Sequence, residues 1–240
     1  MNAGGSGRQT LYAKVYAELV ERIRSGQWKP GQLIPNEFEI AAEFGVSQGT
    51  ARKAIGALAV ANLVVRQQGR GTFVFEHTPD DIMFRFFNLF EDGGRRIIPQ
   101  SRSTRRVLAR ASGPERKALE LPVNARVVRF DRIRTHNRKP LIIETITLPE
   151  DIFPGLAELD EFPDTFYDTF QKSYGVLVTR TEERLTAAPA EQRYAKDLDV
   201  PTGTPLVRVE RIAFTLDDRP VEWRISLCHL KRAYYLARTG

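Results

Sequence analysis

Residues 37–61 read EFEIAAEFGVSQGTARKAIGALAVA, and their punctuation decides the amino-terminal fold. Asn36 stands where it can cap a short helix carrying Ile40, Ala41 and Phe44. Gly45 closes that helix with the positive φ that so short a turn requires. Ser47 then caps a third, longer helix running to about Ala61 with Ile55 and Leu58 inward. Helix, tight glycine turn, helix is the helix-turn-helix pattern, with Ala41 small where the helices cross.

Working outward, Leu11, Val15, Leu19 and Ile23 recur every fourth position, so residues 9–25 read as an amphipathic helix ended by Gly26. On the other side, Val64-Val65-Arg66 and Thr72-Phe73-Val74-Phe75 read as strands joined by the basic tip Gln67-Gln68-Gly69-Arg70-Gly71. The hairpin forms a wing directly after the helix-turn-helix.

In such an arrangement the second helix enters the major groove and its first turns face base edges. Gln48, Gly49, Arg52 and Lys53 are exposed there, with the hydroxyls of Ser47 and Thr50 near phosphates. Gln can bond adenine through two atoms, Arg can do so with guanine, and Lys53 can neutralise a phosphate. Arg66, Gly69, Arg70, Gly71 and Thr72 would follow a sugar-phosphate edge or the minor groove. A solvated helix face and an ordinary surface hairpin are the plain alternatives. They leave unexplained an arginine set between two glycines beside a helix-turn-helix.

Residues 11–74 resemble the winged-helix domain of the GntR family of bacterial transcription regulators. The resemblance rests on Leu11-Tyr12, Ile23 with Gly26, Pro30-Gly31, Pro35 with Glu37, Phe44-Gly45-Val46-Ser47, Thr50 with Arg52, and Gly69-Arg70-Gly71-Thr72-Phe73-Val74. Phe38 and Gln48 stand where members often carry an arginine, whereas Arg52 matches.

Bulk properties agree. The 240 residues suit two modest domains, and 42% hydrophobic and 28% charged residues are ordinary globular values. Net charge is +6, and residues 1–75 hold nine Lys or Arg against five Asp or Glu, leaving 27 against 25 for the rest. The first third is the basic part, as a polyanionic partner would favour. The longest apolar stretch, Ile55 to Val65, is broken by Gly56 and Asn62 and falls short of the ~20 residues of a membrane span. The Gly-rich polar start has no apolar targeting core, and a lone Cys228 excludes an internal disulfide and a Cys-based zinc site. A cytoplasmic protein with no membrane partner is expected.

The expected organisation is a disordered tail over 1–8, a winged helix-turn-helix DNA-binding domain over 9–75, a linker over 76–81, and a second domain over 82–240. That second domain carries an internal repeat. Residues 117–133 and 196–212 align without gaps and share Lys117/Lys196, Leu119/Leu198, Pro122/Pro201, Val128/Val207, Arg129/Arg208, Arg132/Arg211 and Ile133/Ile212. Each copy continues through a basic residue before proline, Lys139-Pro140 or Arg219-Pro220, into a further strand. Two related hairpins, each preceded by a short helix, are predicted, with a ligand cleft between the two lobes.

Strand alternation places Arg132 and Arg134 on the side of Val128 and Phe130, and Glu144 on the side of Ile142, Ile146 and Leu148. A buried charge costs several kcal/mol unless paired, so these groups must meet each other or a ligand. In the second copy Val221, Trp223, Ile225 and Leu227 form one apolar face, leaving Glu222, Arg224, Ser226 and Cys228 on the other, either solvated or functional.

Residues 82–236 resemble the UTRA ligand-sensing domain of the HutC-like GntR subfamily, whose fold is shared with chorismate lyase. The match lies in Arg132-Ile133-Arg134, Pro140 with Glu144, Leu148-Pro149, Tyr174-Gly175, Gly203-Thr204-Pro205-Leu206 and Pro220-Val221-Glu222. The resemblance implies an α+β protein: a winged helix-turn-helix followed by an antiparallel sheet with flanking helices, homodimerisation, and binding of a small metabolite. Positions matching Arg132, Arg134, Glu144, Thr165, Tyr167 and Glu222 line the effector site of members that bind phosphorylated sugars, with backbone amides near Asn88 holding the phosphate. Arg224 replaces a usual Ser and Cys228 a usual Tyr, and the added arginine suits a carboxylate-bearing ligand.

The expected function is a ligand-responsive repressor that binds a palindromic double-stranded operator as a homodimer and is controlled by a small anionic metabolite. It would carry no cofactor, metal or catalytic residue. His77, His136 and His229 show no i, i+4 metal spacing, and the adjacent strand residues Cys228 and His229 point to opposite faces. A metal-responsive regulator of the all-helical GntR branch and a lyase-like enzyme are the alternatives.

Overall fold

The computed structural model describes residues 11–76, 88–159 and 166–237, and the chain divides into two compact units, Met1–His77 and Thr78–Gly240.

In the first unit, helix α1 (Leu11–Arg24) buries Val15 and Leu19, four residues apart on one stripe. Helix α2 (Glu37–Phe44) starts at a full capping box. Asn36 Oδ1 accepts from the amides of Phe38 and Glu39 at 2.9 and 3.1 Å, and the Glu39 carboxylate accepts from the Asn36 amide at 2.7 Å. Gly45 ends the helix in the left-handed region, φ 62°, with its amide turned back on the Ala41 and Ala42 carbonyls. Helix α3 (Gln48–Val60) begins at Ser47 and buries Ala51, Ala54, Ile55 and Leu58. The wing is an antiparallel pair, β1 (Val64–Gln67) and β2 (Gly71–Val74). Gly71 adopts φ 115°, a backbone conformation that residues with a side chain rarely take.

The second unit is built on one six-stranded antiparallel sheet. Its elements are β3 (Leu89–Glu91), β4 (Gln100–Arg110), α4 (Gly113–Ala118), β5 (Arg126–His136), β6 (Lys139–Pro149), α5 (Phe166–Tyr174), β7 (Val178–Pro189), α6 (Gln192–Leu198), β8 (Pro205–Thr215), β9 (Pro220–Cys228) and β10 (Ala233–Tyr235). The strand order is β4-β5-β6-β9-β8-β7, and β3 pairs with β10 in a separate ribbon. Each half is a hairpin preceded by a short helix, as the repeat predicts, with a further strand before the helix, β4 or β7. The halves do not form two lobes with a cleft between them, however. β6 and β9 pair edge to edge from Ile142↔Cys228 to Thr147↔Trp223, so that the strands form a continuous sheet.

One face carries the apolar helix contacts of α6, where Ala195 and Leu198 pack with Ile133, Ile143 and Leu227. The other face is covered at one end by Phe153, Phe166, Tyr167 and Phe170 packed on Phe130, Ile146 and Leu148. At its other end Leu89 packs with Ile142, Val209 and Cys228. Between these two apolar clusters lies a band of charge.

Candidate functional sites

On the first unit, Ser47 Oγ accepts from the Thr50 amide at 3.2 Å and lies 2.9 Å from Thr50 Oγ1. The first turn of α3 is thereby fixed, with the Thr50 amide satisfied by Ser47. Gln48 is half-buried at this end, while Arg52 and Lys53 are exposed on the following turn. Arg52 Nε donates to Glu37 Oε2 at 3.1 Å, and Arg66 Nη2 of the wing lies 4.0 Å from Glu37 Oε1. A single carboxylate from α2 thus gathers the helix arginine and the wing arginine. Lys53 Nζ stands 4.8 Å from the Tyr12 ring centroid. At the wing tip Gly69 and Arg70 are exposed, Gly71 opens β2, and Thr72 pairs with Arg66 across the hairpin. Glu37 was visible in the sequence only as part of a motif; its link to Arg52 spans 15 residues.

On the second unit, strand register assembles the charged band. Arg132 lies directly opposite Glu144, Glu144 opposite Ser226, and Ser226 opposite Val209; one step along, Ile146, Arg224 and Arg211 form the next row. Arg132, Arg134, Glu144, Arg211, Glu222, Arg224 and Ser226 are all buried. The polar face of β9 is therefore not solvated: Glu222 is 0% and Arg224 7% exposed. The sheet's hairpin-to-hairpin pairing turns that face inward, toward α5 and the ribbon.

Glu144 is the hub. Its Oε2 accepts from Arg132 Nε and Arg134 Nε, each at 2.8 Å, and its Oε1 lies 3.5 Å from Arg224 Nη1 and accepts from Ser226 Oγ at 3.3 Å. Glu222 receives Arg224 Nε and Nη2 at 3.0 and 2.8 Å and the Tyr167 hydroxyl at 3.2 Å. Arg211 Nε donates to Glu183 at 2.6 Å, and the Tyr235 hydroxyl donates to the same carboxylate. Asn88 Nδ2 reaches Tyr235 Oη at 3.5 Å. Burial alone would raise the Glu144 carboxyl, but Arg132, Arg134 and Arg224 hold it well below the usual carboxylate range. Burial and then the Arg134 charge pull the Arg132 guanidinium down. Burial pushes up the Cys228 thiol and, with Glu222, the Tyr167 hydroxyl, so both stay protonated near neutrality.

Among the described residues this band brings together the guanidinium groups of Arg132, Arg134, Arg211 and Arg224 and the carboxylates of Glu144, Glu183 and Glu222. A cavity of about 30 Å³ opens among Asn88, Glu144, Arg211, Arg224, Ser226, Cys228 and Tyr235. That is far below the ~300 Å³ at which ligand pockets begin, so the groups are closed on one another here. Of the effector-site residues expected from the sequence, Asn88, Arg132, Arg134, Glu144, Tyr167, Glu222 and Arg224 come together; Thr165 lies outside the described residues. Arg211, Glu183, Ser226 and Tyr235 join them. Ser226 had a signal on the polar face of β9 and Arg211 as the repeat equivalent of Arg132, whereas Glu183 and Tyr235 had none.

Among the described residues no group of three His, Cys, Asp or Glu is placed to hold a metal ion, and no helix is long and apolar enough to cross a membrane.

A winged helix-turn-helix unit followed by an antiparallel-sheet unit with a buried charged site defines the class: a transcription regulator with its own sensor domain. Residues 11–74 match the gntR family of bacterial regulatory proteins, and residues 94–233 match the UTRA domain. The chain belongs to the GntR family and carries a UTRA domain. It is 29% identical over 228 residues to a probable fructoselysine utilization operon transcriptional repressor of Shigella flexneri, covering 93% of this chain and 92% of the relative. It is 29% identical over 208 residues to the histidine utilization repressor of Pseudomonas putida, covering 86% and 83%. The ligand-binding domain of a GntR-family regulator from Bordetella bronchiseptica superposes with a TM-score of 0.61 at 31% identity, over 65% of this chain and 98% of that one. PhnF from Mycobacterium smegmatis superposes at 0.57 with 26% identity, over 94% and 99%. The protein is a GntR-family transcriptional repressor, and the relatives and matched domains are regulators. The lyase-like enzyme is set aside on that ground, and the UTRA match displaces the all-helical, metal-responsive branch.

Proposed function

We propose that this repressor binds a palindromic operator as a homodimer, reading bases with α3 and the backbone with the wing, and that a small anionic metabolite in the Arg132–Glu144 site controls it. The observation that carries the reading is the buried band in which Arg132, Arg134 and Arg224 converge on the one carboxylate of Glu144. Such a band is closed by internal pairs that a ligand carboxylate or phosphate can replace, because guanidinium recognises planar oxyanions through paired hydrogen bonds. An incoming anion takes over Arg132 and Arg134 from Glu144. A ligand hydroxyl or amine can then donate to the released carboxylate. The ligand shifts the regulator only through different affinities for its DNA-bound and free arrangements. A two-fold operator with half-sites about one DNA turn apart is sensitive to small changes in dimer geometry.

On the DNA side, Arg52 is the candidate for base contact. Gln48, Lys53, Ser47 and Thr50 surround it, and Arg66, Gly69, Arg70, Gly71 and Thr72 follow the backbone. The test is fluorescence anisotropy with a DNA fragment from the promoter region, titrated with sugar phosphates, amino acids, sugar–amino acid conjugates and organic acids. The relatives named for fructoselysine and histidine utilization make the amino-acid compounds the first to try. One class should release the fragment. Arg132→Ala should leave DNA affinity intact and abolish the response, and a variant that still responds normally makes Arg132 structural. Operator affinity should fall steeply with salt, with a log–log slope of about −0.9 for each phosphate neutralised.

A further inference from the structure

A second concave site lies at the hairpin end of β5 and β6, distinct from the Arg132 cluster. Its volume is about 540 Å³. The floor is apolar, made of Ile97, Leu141 and Leu198. Around it stand His136, Lys139, His229, Lys231 and Arg232, against Asp199 as the carboxylate of the lining. These side chains come from four separate parts of the chain: the segment between β3 and β4, the β5–β6 hairpin end, the end of α6, and the segment between β9 and β10.

The arginines elsewhere on this unit are repeatedly matched to a carboxylate: Arg95 to Glu91, Arg129 to Glu115, Arg184 to Glu210, Arg219 to Asp151. Lys139, Lys231 and Arg232 make no ion pair with a carboxylate among the described residues, although they border one cavity. Isolated surface cations would point apart into water. Cations gathered around a concave, partly apolar surface repel one another and raise the local potential, which an anion relieves.

We propose that this cavity is a binding site for a small phosphate-bearing molecule. Lys231, Arg232 and Lys139 hold the phosphoryl oxygens, and the rest of the molecule lies on Leu141 and Leu198. The site also adjoins the cover of the first. Residues 229–232 lead into β10, whose Tyr235 borders the small cavity beside Glu144 and Arg224, and His136 Nε2 lies 2.7 Å from Glu91 of β3. An occupied site fastens both strands of the ribbon to the end of the β5–β6 hairpin.

The experiment is isothermal titration of the full chain with pyrophosphate and with inorganic phosphate, at constant ionic strength. Four proteins are compared: wild type, Lys231→Ala/Arg232→Ala, Lys139→Glu and Arg132→Ala. Saturable pyrophosphate binding is expected in wild type and Arg132→Ala. It should weaken at least about tenfold in the other two, because each loses a charge-assisted contact. Lys139, Lys231 and Arg232 are exposed whereas Arg132 is buried, and thermal unfolding of each variant, measured beside binding, shows that the fold survives. Undiminished binding in both Lys231→Ala/Arg232→Ala and Lys139→Glu overturns the proposal. So does loss of binding in Arg132→Ala, which would place the ion in the first site, and so does the absence of saturable binding. Only that loss in Arg132→Ala would speak to the Arg132 site; the other results leave the effector reading untouched.

Discussion

Glu144→Gln tests the central site most directly, because one carboxylate touches three guanidinium groups at 2% exposure. Removing one member of a buried ion pair costs about 3–5 kcal/mol, since the remaining charge stays buried and uncompensated. Glutamine keeps the volume and one acceptor oxygen, so the lower end, about 3 kcal/mol, is the expected loss. For a domain of this size each kcal/mol lowers the melting temperature by about 2–4 °C, giving a fall of about 6–12 °C. If the band is a ligand site, small oxyanions should replace the lost charge. A site filled at a hundred times its dissociation constant regains about 2.7 kcal/mol, nearly all of the deficit. Thermal unfolding in phosphate or citrate against chloride, at matched ionic strength, is the assay. Glu144→Gln should gain more from the oxyanions than wild type does. A melting temperature within 2 °C of wild type would show that the pairs are not doing what their geometry implies. A large loss with no oxyanion gain would leave them purely structural.

Three further outcomes are expected. Arg52→Ala should weaken operator binding by about 1–3 kcal/mol while leaving the melting temperature within about a degree, as measured by anisotropy and thermal unfolding. Gly45→Val should cost at least about 1–2 kcal/mol, because φ 62° is unfavourable for a β-branched side chain; urea denaturation of the two proteins measures it, and equal midpoints would refute it. Acid should unfold the second unit partly through Glu115. Burial opposes its ionisation, but Arg129 and the Ser112 amide hold it down to about 2. The folded state thus binds this proton less readily than the unfolded chain. The contribution is complete above about pH 5 and is lost as pH falls toward 2. Urea midpoints at pH 6, 4 and 3 should fall less steeply for Glu115→Gln than for wild type, and parallel falls would refute the assignment.

The first unit is almost wholly legible because its signals are local. Asn36, Gly45 and Ser47 act within four residues of themselves, and the wing glycines act where they stand. In the second unit, strand alternation exposes the conflict at Arg132, Arg134 and Glu144, since a charge on an apolar face is a local contradiction. What alternation cannot supply is which strands become neighbours. The β6–β9 pairing joins residues about 80 apart in sequence, and it alone decides that the polar face of β9 turns inward. Glu183 and Tyr235 reach the site from β7 and from the ribbon, with nothing nearby in sequence to announce them. Glu37 is the same kind of omission in the first unit, a residue whose partners lie on two other elements.

The duplication also explains why the site is lopsided. Arg132 and Arg211 occupy equivalent places on β5 and β8, each with a carboxylate in reach. Across the hairpins the equivalence continues, because Arg132 lies opposite Glu144 and Arg211 opposite Arg224. Likewise Arg134 lies opposite Ile142, and Ala213 opposite Glu222. Where one copy has a carboxylate the other has a guanidinium, and where one is apolar the other is acidic. Strict symmetry would place two like charges near the β6–β9 junction, at the repulsive cost that buried like charges carry. The exchange instead gives one end of the band Arg132 and Arg134 around a shared carboxylate, and the other end the alternating Arg224, Glu222 and Arg211. On the proposed reading, a small molecule with an anionic group and a donor at its other end would satisfy that band in only one orientation. Symmetric scaffolding thus gives a continuous sheet, while the unsymmetric charge makes the two ends of the band chemically different.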